Sequence, residues 1–242
     1  MGEDPSAARP KSETHAYSLD EIMTMIDALG DPFAATLIGT AAFTGARRRE
    51  LRAMRWDGYR NQEIMVSSSI WHGIETDPKT EKSKAPIPVI PRLAKMLEAH
   101  RVRMGNPIGG PIFPNGNGKP ICLDAVARRM IIPALNVCGV CSRTESDHGR
   151  IHDHKYQRNT ALPRWFGWHG FRRGLGTVLT SMGVDDHTIQ RILRHENVKT
   201  KQEIYIRNVT GAEKTAMAKL DDPLNDTYLT PNRMVKITKA VQ

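Results

Sequence analysis

The sequence predicts a mainly α-helical domain with one small antiparallel β-sheet, an α+β arrangement. Apolar residues recur at three- and four-residue spacing through most of 18–220, the repeat of helices buried along one face. One stretch, 62–90, instead alternates apolar and polar residues, the repeat of strands. Cap and turn residues punctuate the segments, notably Ser18 with Glu21, Thr44-Gly45, and Thr210 with Glu213.

Taken in order, residues 1–17 are polar and rich in Pro, Ser, Ala and charge, and read as a flexible tail or linker. A helix opens at Ser18 with Leu19, Ile22, Met23, Ile26 and Leu29 on one face. A second apolar helix covers about 33–43 and breaks at Thr44-Gly45; a short one follows over 47–54 with Leu51 and Met54 inward. Ile64, Val66, Ser68 and Ile70 alternate, Asp77-Pro78-Lys79-Thr80 turns, and Ile87-Pro88-Val89 runs extended, predicting the sheet and a polar hairpin. Helices return at 91–104 and 124–135. An irregular stretch, 136–163, is rich in Cys, His and Asp. Further helices are expected at 168–182, 185–194, 199–207 and 210–220. The tail 221–242 carries Pro223 and Pro231 without a clear period. There is no internal repeat.

Composition bounds the function. With 39% hydrophobic and 25% charged residues over 242 positions, the chain can bury a core and is not generally disordered. A net charge of +9 suits a polyanionic partner, though basic soluble and ribosomal proteins share it. No run approaches the roughly 18 apolar residues of a membrane span, and the N-terminus lacks the pattern of a secretory signal. Three cysteines do not make a disulfide framework, so a reducing, cytoplasmic location is expected.

Several small motifs carry chemistry. In Trp168-His169-Gly170-Phe171-Arg172, His169 and Arg172 lie three apart on a predicted helix and project from one face. Leu193-Arg194-His195 follows, then Tyr205 ten residues later. Upstream, Thr44-Gly45-Ala46-Arg47-Arg48-Arg49-Glu50-Leu51 puts an arginine just after a tight turn, and Pro78-Lys79-Thr80 puts a lysine in the hairpin. Singly, each reads more readily as a solvated surface feature or, for Tyr205, as an ordinary core or surface residue. Together, their order and context resemble the catalytic domain of the tyrosine recombinases, the phage-integrase family, over about residues 18–210.

That resemblance implies the tyrosine-recombinase catalytic-domain fold and a site-specific DNA recombinase that cleaves and rejoins strands through a 3′-phosphotyrosine. It implies Tyr205 as nucleophile and Arg47 and Arg172 as forks on the non-bridging oxygens, where a planar guanidinium fits better than an ammonium. Lys79 is then the acid for the leaving 5′-oxygen. His169 takes the tyrosine proton or orients the phosphate, and His195 donates to a phosphate oxygen. Glu50 steadies the first arginine or a neighbouring histidine. No nucleotide or catalytic metal is implied. The expected partner is double-stranded DNA, engaged by a homotetramer on paired sites at the nucleoid, with 221–242 as a docking segment or a free tail. Arg52, Arg55, Arg128, Arg129, Arg164 and Arg173 read as phosphate contacts or as solvated surface charges.

Arg194 stands where the family has a small residue; it either adds a phosphate contact or crowds the site. The run Arg47-Arg48-Arg49 also admits a register one residue away. The N-terminal helical domain usual in the family does not fit in 17 residues, which predicts a fragment, a truncated gene product or a compact member. A catalytically inactive, truncated DNA-binding remnant is the alternative function.

Within 136–163, the C-x2-C turn Cys138–Cys141 is followed by His148, His152 and His154. This spacing suits a tetrahedral structural zinc held by Cys138, Cys141, His148 and His154, with His152 as substitute; the other reading is a polar loop with incidental thiols.

Overall fold

A computed structural model describes residues 14–66, 69–71, 74–76, 86–148, 154–194 and 211–228. Its centre is helix α2 (Pro32–Thr44), buried on nearly every side from Ala34 to Thr44, as a helix apolar all round must be. Asp31 caps it, accepting the N–H groups of Phe33 at 2.8 Å and Ala34 at 3.0 Å, and Pro32 occupies the first turn, where its missing N–H is harmless. Helix α1 (Leu19–Ala28) begins at the expected capping box: Ser18 Oγ accepts the Glu21 N–H and the Glu21 carboxylate accepts the Ser18 N–H. Helices α1, α4 (Pro91–Arg103) and α8 (His169–Ser181) pack around α2.

The β structure is more divided than predicted. Strands β1 (Tyr59–Arg60), β2 (Glu63–Ile64) and β5 (Ile87–Pro88) form one antiparallel sheet in the order β1-β2-β5. A separate pair joins β3 (Ser69–Trp71) to β4 (Ile74–Thr76), with Trp71 opposite Ile74. The β1–β2 turn rests on Asn61 and Gln62, both at positive φ (52° and 57°), which matches the twist of a two-residue hairpin. The expected turn at 77–80, with Lys79, lies outside the described residues.

Two helix predictions change in detail. The helix expected at 124–135 is α5 (Leu123–Val126), a π-turn (Ala127–Ile131) and α6 (Ile132–Leu135). Pro133 supplies the reason: its ring would press on the carbonyl four residues back, and a wider turn relieves it. Helix α10 (Gly211–Tyr228) runs past the predicted end at 220 and through Pro223, so the tail expected from 221 begins as helix. Ala216, Met217 and Leu220 are buried, and the Asp221 carboxylate accepts the Arg92 N–H. Docking outweighs the roughly 3 kcal/mol a proline costs inside a helix.

The boundary at 17 also moves. Tyr17 is fully buried rather than part of a tail. Its N–H donates to Gly170 O, its hydroxyl accepts the Phe166 N–H, and Arg173 Nε donates to His15 O. Burial drives its phenol pKa up to about 12. The strap lies flat on α8 because that face carries Gly170 and Gly174. A Cβ at 170 would come within 2.6 Å of Tyr17 Cε2, and one at 174 would overlap the Tyr17 carbonyl oxygen. Trp165, Phe166, Trp168 and Phe171 close the cluster around Tyr17, with Tyr17 and Phe171 centroids 4.6 Å apart. Among the described residues, no helix is long and apolar enough to cross a membrane.

Gly174→Ala should therefore destabilise the fold by about 1–3 kcal/mol or more, the scale of overpacking against an unyielding backbone. Chemical denaturation of the variant checks this; an unchanged midpoint would show that the strap does not lie on α8.

Candidate active site

The site is built at the place where the turn after α2, helix α3 (Arg48–Ala53), the start of α8 and the end of α9 (Asp186–Ile192) meet. Thr44 Oγ1 donates to Thr40 O and accepts the Ala46 N–H. Gly45 then takes the left-handed conformation, φ 57°, in a space where a Cβ would lie 2.7 Å from Leu193. This turn delivers Arg47 to the N-cap of α3.

Glu50 is the hub. Its carboxylate, on a residue only 6% exposed, accepts the Arg47 N–H at 2.9 Å, Arg47 Nη1 at 2.8 Å and Arg194 Nη2 at 2.8 Å. Burial alone would raise its pKa. The charge of Arg194 and the hydrogen bonds from Arg47 and Arg194 overcome that and hold it at about 2. Arg47 Nη2 donates to Arg194 O at 2.8 Å. Arg172, buried on the first turns of α8, donates from Nη1 to Gly45 O at 2.8 Å and from Nη2 to Leu193 O. Desolvation and the nearby charges of Arg47 and Arg194 lower its pKa to about 9, still cationic at neutral pH. His169 is exposed one turn earlier; desolvation and the charges of Arg173, Arg172 and Arg47 push its imidazole below the ordinary value. Two guanidiniums thus pair with one carboxylate and a third, that of Arg172, lies close to both, an excess of positive charge that suits an anion.

The structure brings together Arg47, Glu50, His169 and Arg172. Lys79, His195 and Tyr205, with the helix expected at 199–207, lie outside the described residues. Of the three consecutive arginines, Arg47 faces Glu50, whereas Arg48 is exposed and pairs with Asp124 at 2.6 Å. Arg194 does not meet solvent: its side chain is 1% exposed and is held by Glu50 and Ile192 O. That structural role was not read from the sequence. The available signal was a charged residue where the family has a small one, close to a buried acid. Among the proposed phosphate contacts, Arg52 and Arg173 donate to the carbonyls of Ile121 and His15, and Arg55 pairs with Asp57. Arg128, Arg129 and Arg164 are exposed.

In the Cys/His-rich stretch, donor atoms of Cys138, Cys141, His148 and His154 all lie within 4.8 Å of one another. Main-chain N–H groups of Gln157, then Cys141 and Val140, face the Cys138 sulfur and pull its thiol well below the ordinary range against the effect of burial. His152 lies outside the described residues.

The fold so assembled is that of the catalytic domain of tyrosine recombinases. The integrase of mycobacterium phage Brujita is similar over 95% of this chain and 65% of its own length, with a TM-score of 0.58 and 20% identity. The Tn1549 transposon integrase in complex with transposon right end DNA matches over 88% of this chain and 68% of its own, with a TM-score of 0.55 and 18% identity. XerA recombinase matches over 92% and 67%, with a TM-score of 0.51 and 19% identity. No family model matches the sequence, and no curated protein matches it. The chain thus spans about two thirds of the length of these relatives, and what it shares with them is the fold.

Glu50→Gln leaves the buried Arg194 guanidinium uncompensated and should destabilise the protein by about 3–5 kcal/mol. Because the folded-state pKa of Glu50, about 2, lies below its ordinary 4.5, its contribution is fully present above about pH 4.5 and fades as pH falls towards 2. The depression corresponds to about 3 kcal/mol. Denaturant titrations of both proteins from pH 7 to pH 2 test this: the gap between them should close with acid, and a gap independent of pH would refute the role of the carboxylate.

Proposed function

We propose that this chain is a site-specific DNA recombinase that breaks and rejoins strands through a covalent phosphotyrosine. The observation that carries the reading is the arginine–carboxylate cluster, in which Arg47, Arg172 and Arg194 outnumber the single buried carboxylate of Glu50. A phosphodiester undergoing displacement gathers negative charge on its non-bridging oxygens, and fixed guanidiniums oppose that charge without having to reorganise. The recombinase fold supports the same reading, as does the +9 net charge.

In this mechanism, the Tyr205 phenol oxygen attacks phosphorus. The P–O bond to the 5′-oxygen breaks, and the 3′-phosphate stays on the tyrosine. Arg47 and Arg172 hold the non-bridging oxygens with the N–H groups left over from their protein contacts. His169, whose imidazole is pushed below its ordinary value by desolvation and the neighbouring arginines, takes the phenol proton or orients the phosphate. His195 donates to a phosphate oxygen, and Lys79 protonates the departing 5′-oxygen. Rejoining runs the same steps backwards with a new 5′-hydroxyl, so the bond energy is conserved and no nucleotide is needed. Duplex DNA in the cytoplasm, at the nucleoid, is the substrate, and paired sites are held by a homotetramer.

The test is covalent trapping on a pool of nicked duplexes of randomised sequence. The wild-type chain should leave a detergent-resistant protein–DNA adduct; Tyr205→Phe should leave none while still retarding the DNA in gels. Arg47→Ala should slow adduct formation by about 10²–10³-fold, the scale for one lost oxyanion donor. DNA binding by the wild-type chain without any adduct would instead identify a non-catalytic binding remnant. An adduct that persists in Tyr205→Phe would overturn the assignment of the nucleophile.

A further inference from the structure

We propose that Cys138, Cys141, His148 and His154 bind one zinc ion, which clamps the loop leading into α8. The argument begins with how the chain makes the turn. Val137 and Thr144 pair as a β-bridge, Cys138 N–H donates to Arg143 O at 2.8 Å, and Ser142 N–H donates to Cys138 O at 2.9 Å. Ser142 at φ 57° closes this tight loop, which carries both sulfurs. Thr144 caps the short helix α7 (Glu145–His148), whose last residue is His148, 4% exposed. The chain returns at His154, and Cys138 pairs with Arg158 as a second bridge.

Three separate pieces of backbone therefore aim donors at one point. Cys138 Sγ lies 3.4 Å from His154 Nε2, and His148 Nε2 lies 3.2 Å from His154 Nε2. The two imidazoles stand at 84° to each other. Zinc bonds of about 2.3 Å to sulfur and 2.0–2.1 Å to nitrogen, at tetrahedral angles, put sulfur and nitrogen about 3.5 Å apart and two nitrogens about 3.3 Å apart. These two separations match those edges. Two thiolates on the same ion lie about 3.8 Å apart, so separations of up to 4.8 Å need only a small inward adjustment. Two cysteines alone would fit a disulfide; two imidazoles turned onto the same point are what a borderline-soft, four-coordinate ion requires.

The consequence for the fold is positional. The clamp joins the end of α6 to 154–158. From there the Arg158 guanidinium reaches Asn136 Oδ1 at 2.9 Å, Leu162 O at 2.8 Å and Pro163 O at 2.6 Å, while Tyr156 OH donates to Asn136 O. Trp165 and Trp168 follow directly and pack on Phe171 in α8. The ion would thus hold the approach to His169 and Arg172 without touching a substrate.

The experiment uses the whole chain without DNA, so its result does not depend on the recombinase reading. Protein purified without chelator should contain about one zinc per chain by elemental analysis. Cobalt(II) exchanged into it should give the intense visible bands of a tetrahedral site and a thiolate charge-transfer band. Cys141→Ser and His148→Ala should each lose stoichiometric zinc, while Cys122→Ser, the exposed cysteine outside the cluster, should keep it. Chelation should lower the thermal midpoint and speed amide exchange across 156–168, and zinc should reverse both. Folded wild-type protein that takes up no zinc and shows only octahedral cobalt would overturn the proposal, as would undiminished zinc in a Cys141→Ser/His148→Ala double variant.

Discussion

The site depends on one buried carboxylate. Glu50 gathers the main-chain N–H and guanidinium of Arg47 and the guanidinium of Arg194, residues separated by almost 150 positions in the chain. An ion so far from water is tolerable only when its lone pairs are filled and its charge is answered. Meeting that requirement ties α3 to the end of α9, and Arg172 completes the tie by bridging Gly45 O and Leu193 O. Side chains suited to binding an anion are therefore also the mortar between the elements that present them.

The second constraint is the contact between the Tyr17 strap and α8. Glycines four residues apart leave a flat strip on the helix, the Tyr17 backbone occupies it, and the aromatic cluster closes over the result. Residues 15–17 thereby fix the rotation of the helix that carries His169 and Arg172, so the orientation of the site is set partly by packing on the opposite face of α8.

Much of this was legible in the sequence where local rules govern. The capping box at Ser18, the break at Gly45 and the 3.6-residue pattern of α8 each depend on neighbours in the chain, and these features stand where the pattern puts them. The convergence of Arg47, Glu50, His169 and Arg172 was legible through a family resemblance rather than through any local signal. What escaped was long-range. Tyr17 looked like tail because nothing nearby in sequence packs on it. The turn at Asn61-Gln62 lacks the glycine that usually advertises a hairpin. Pro223 read as a stop because the docking of α10 is invisible in one dimension. Arg194 was ambiguous for the same reason, since its partner lies in α3.

Arg194 carries one more consequence. It sits in the left-handed region at φ 54°, a placement that costs a non-glycine residue roughly 1–2 kcal/mol, and the ion pair with Glu50 offsets that strain. Because Arg194 already balances the acid, the charges of Arg47 and Arg172 are left to act outward. Such a field draws a polyanion from beyond contact distance and speeds encounter, but it reaches only about one Debye length, near 10 Å at 0.1 M ionic strength. Attraction of a polyanion to the partly exposed Arg47 should therefore be fast in dilute buffer and far slower in concentrated salt.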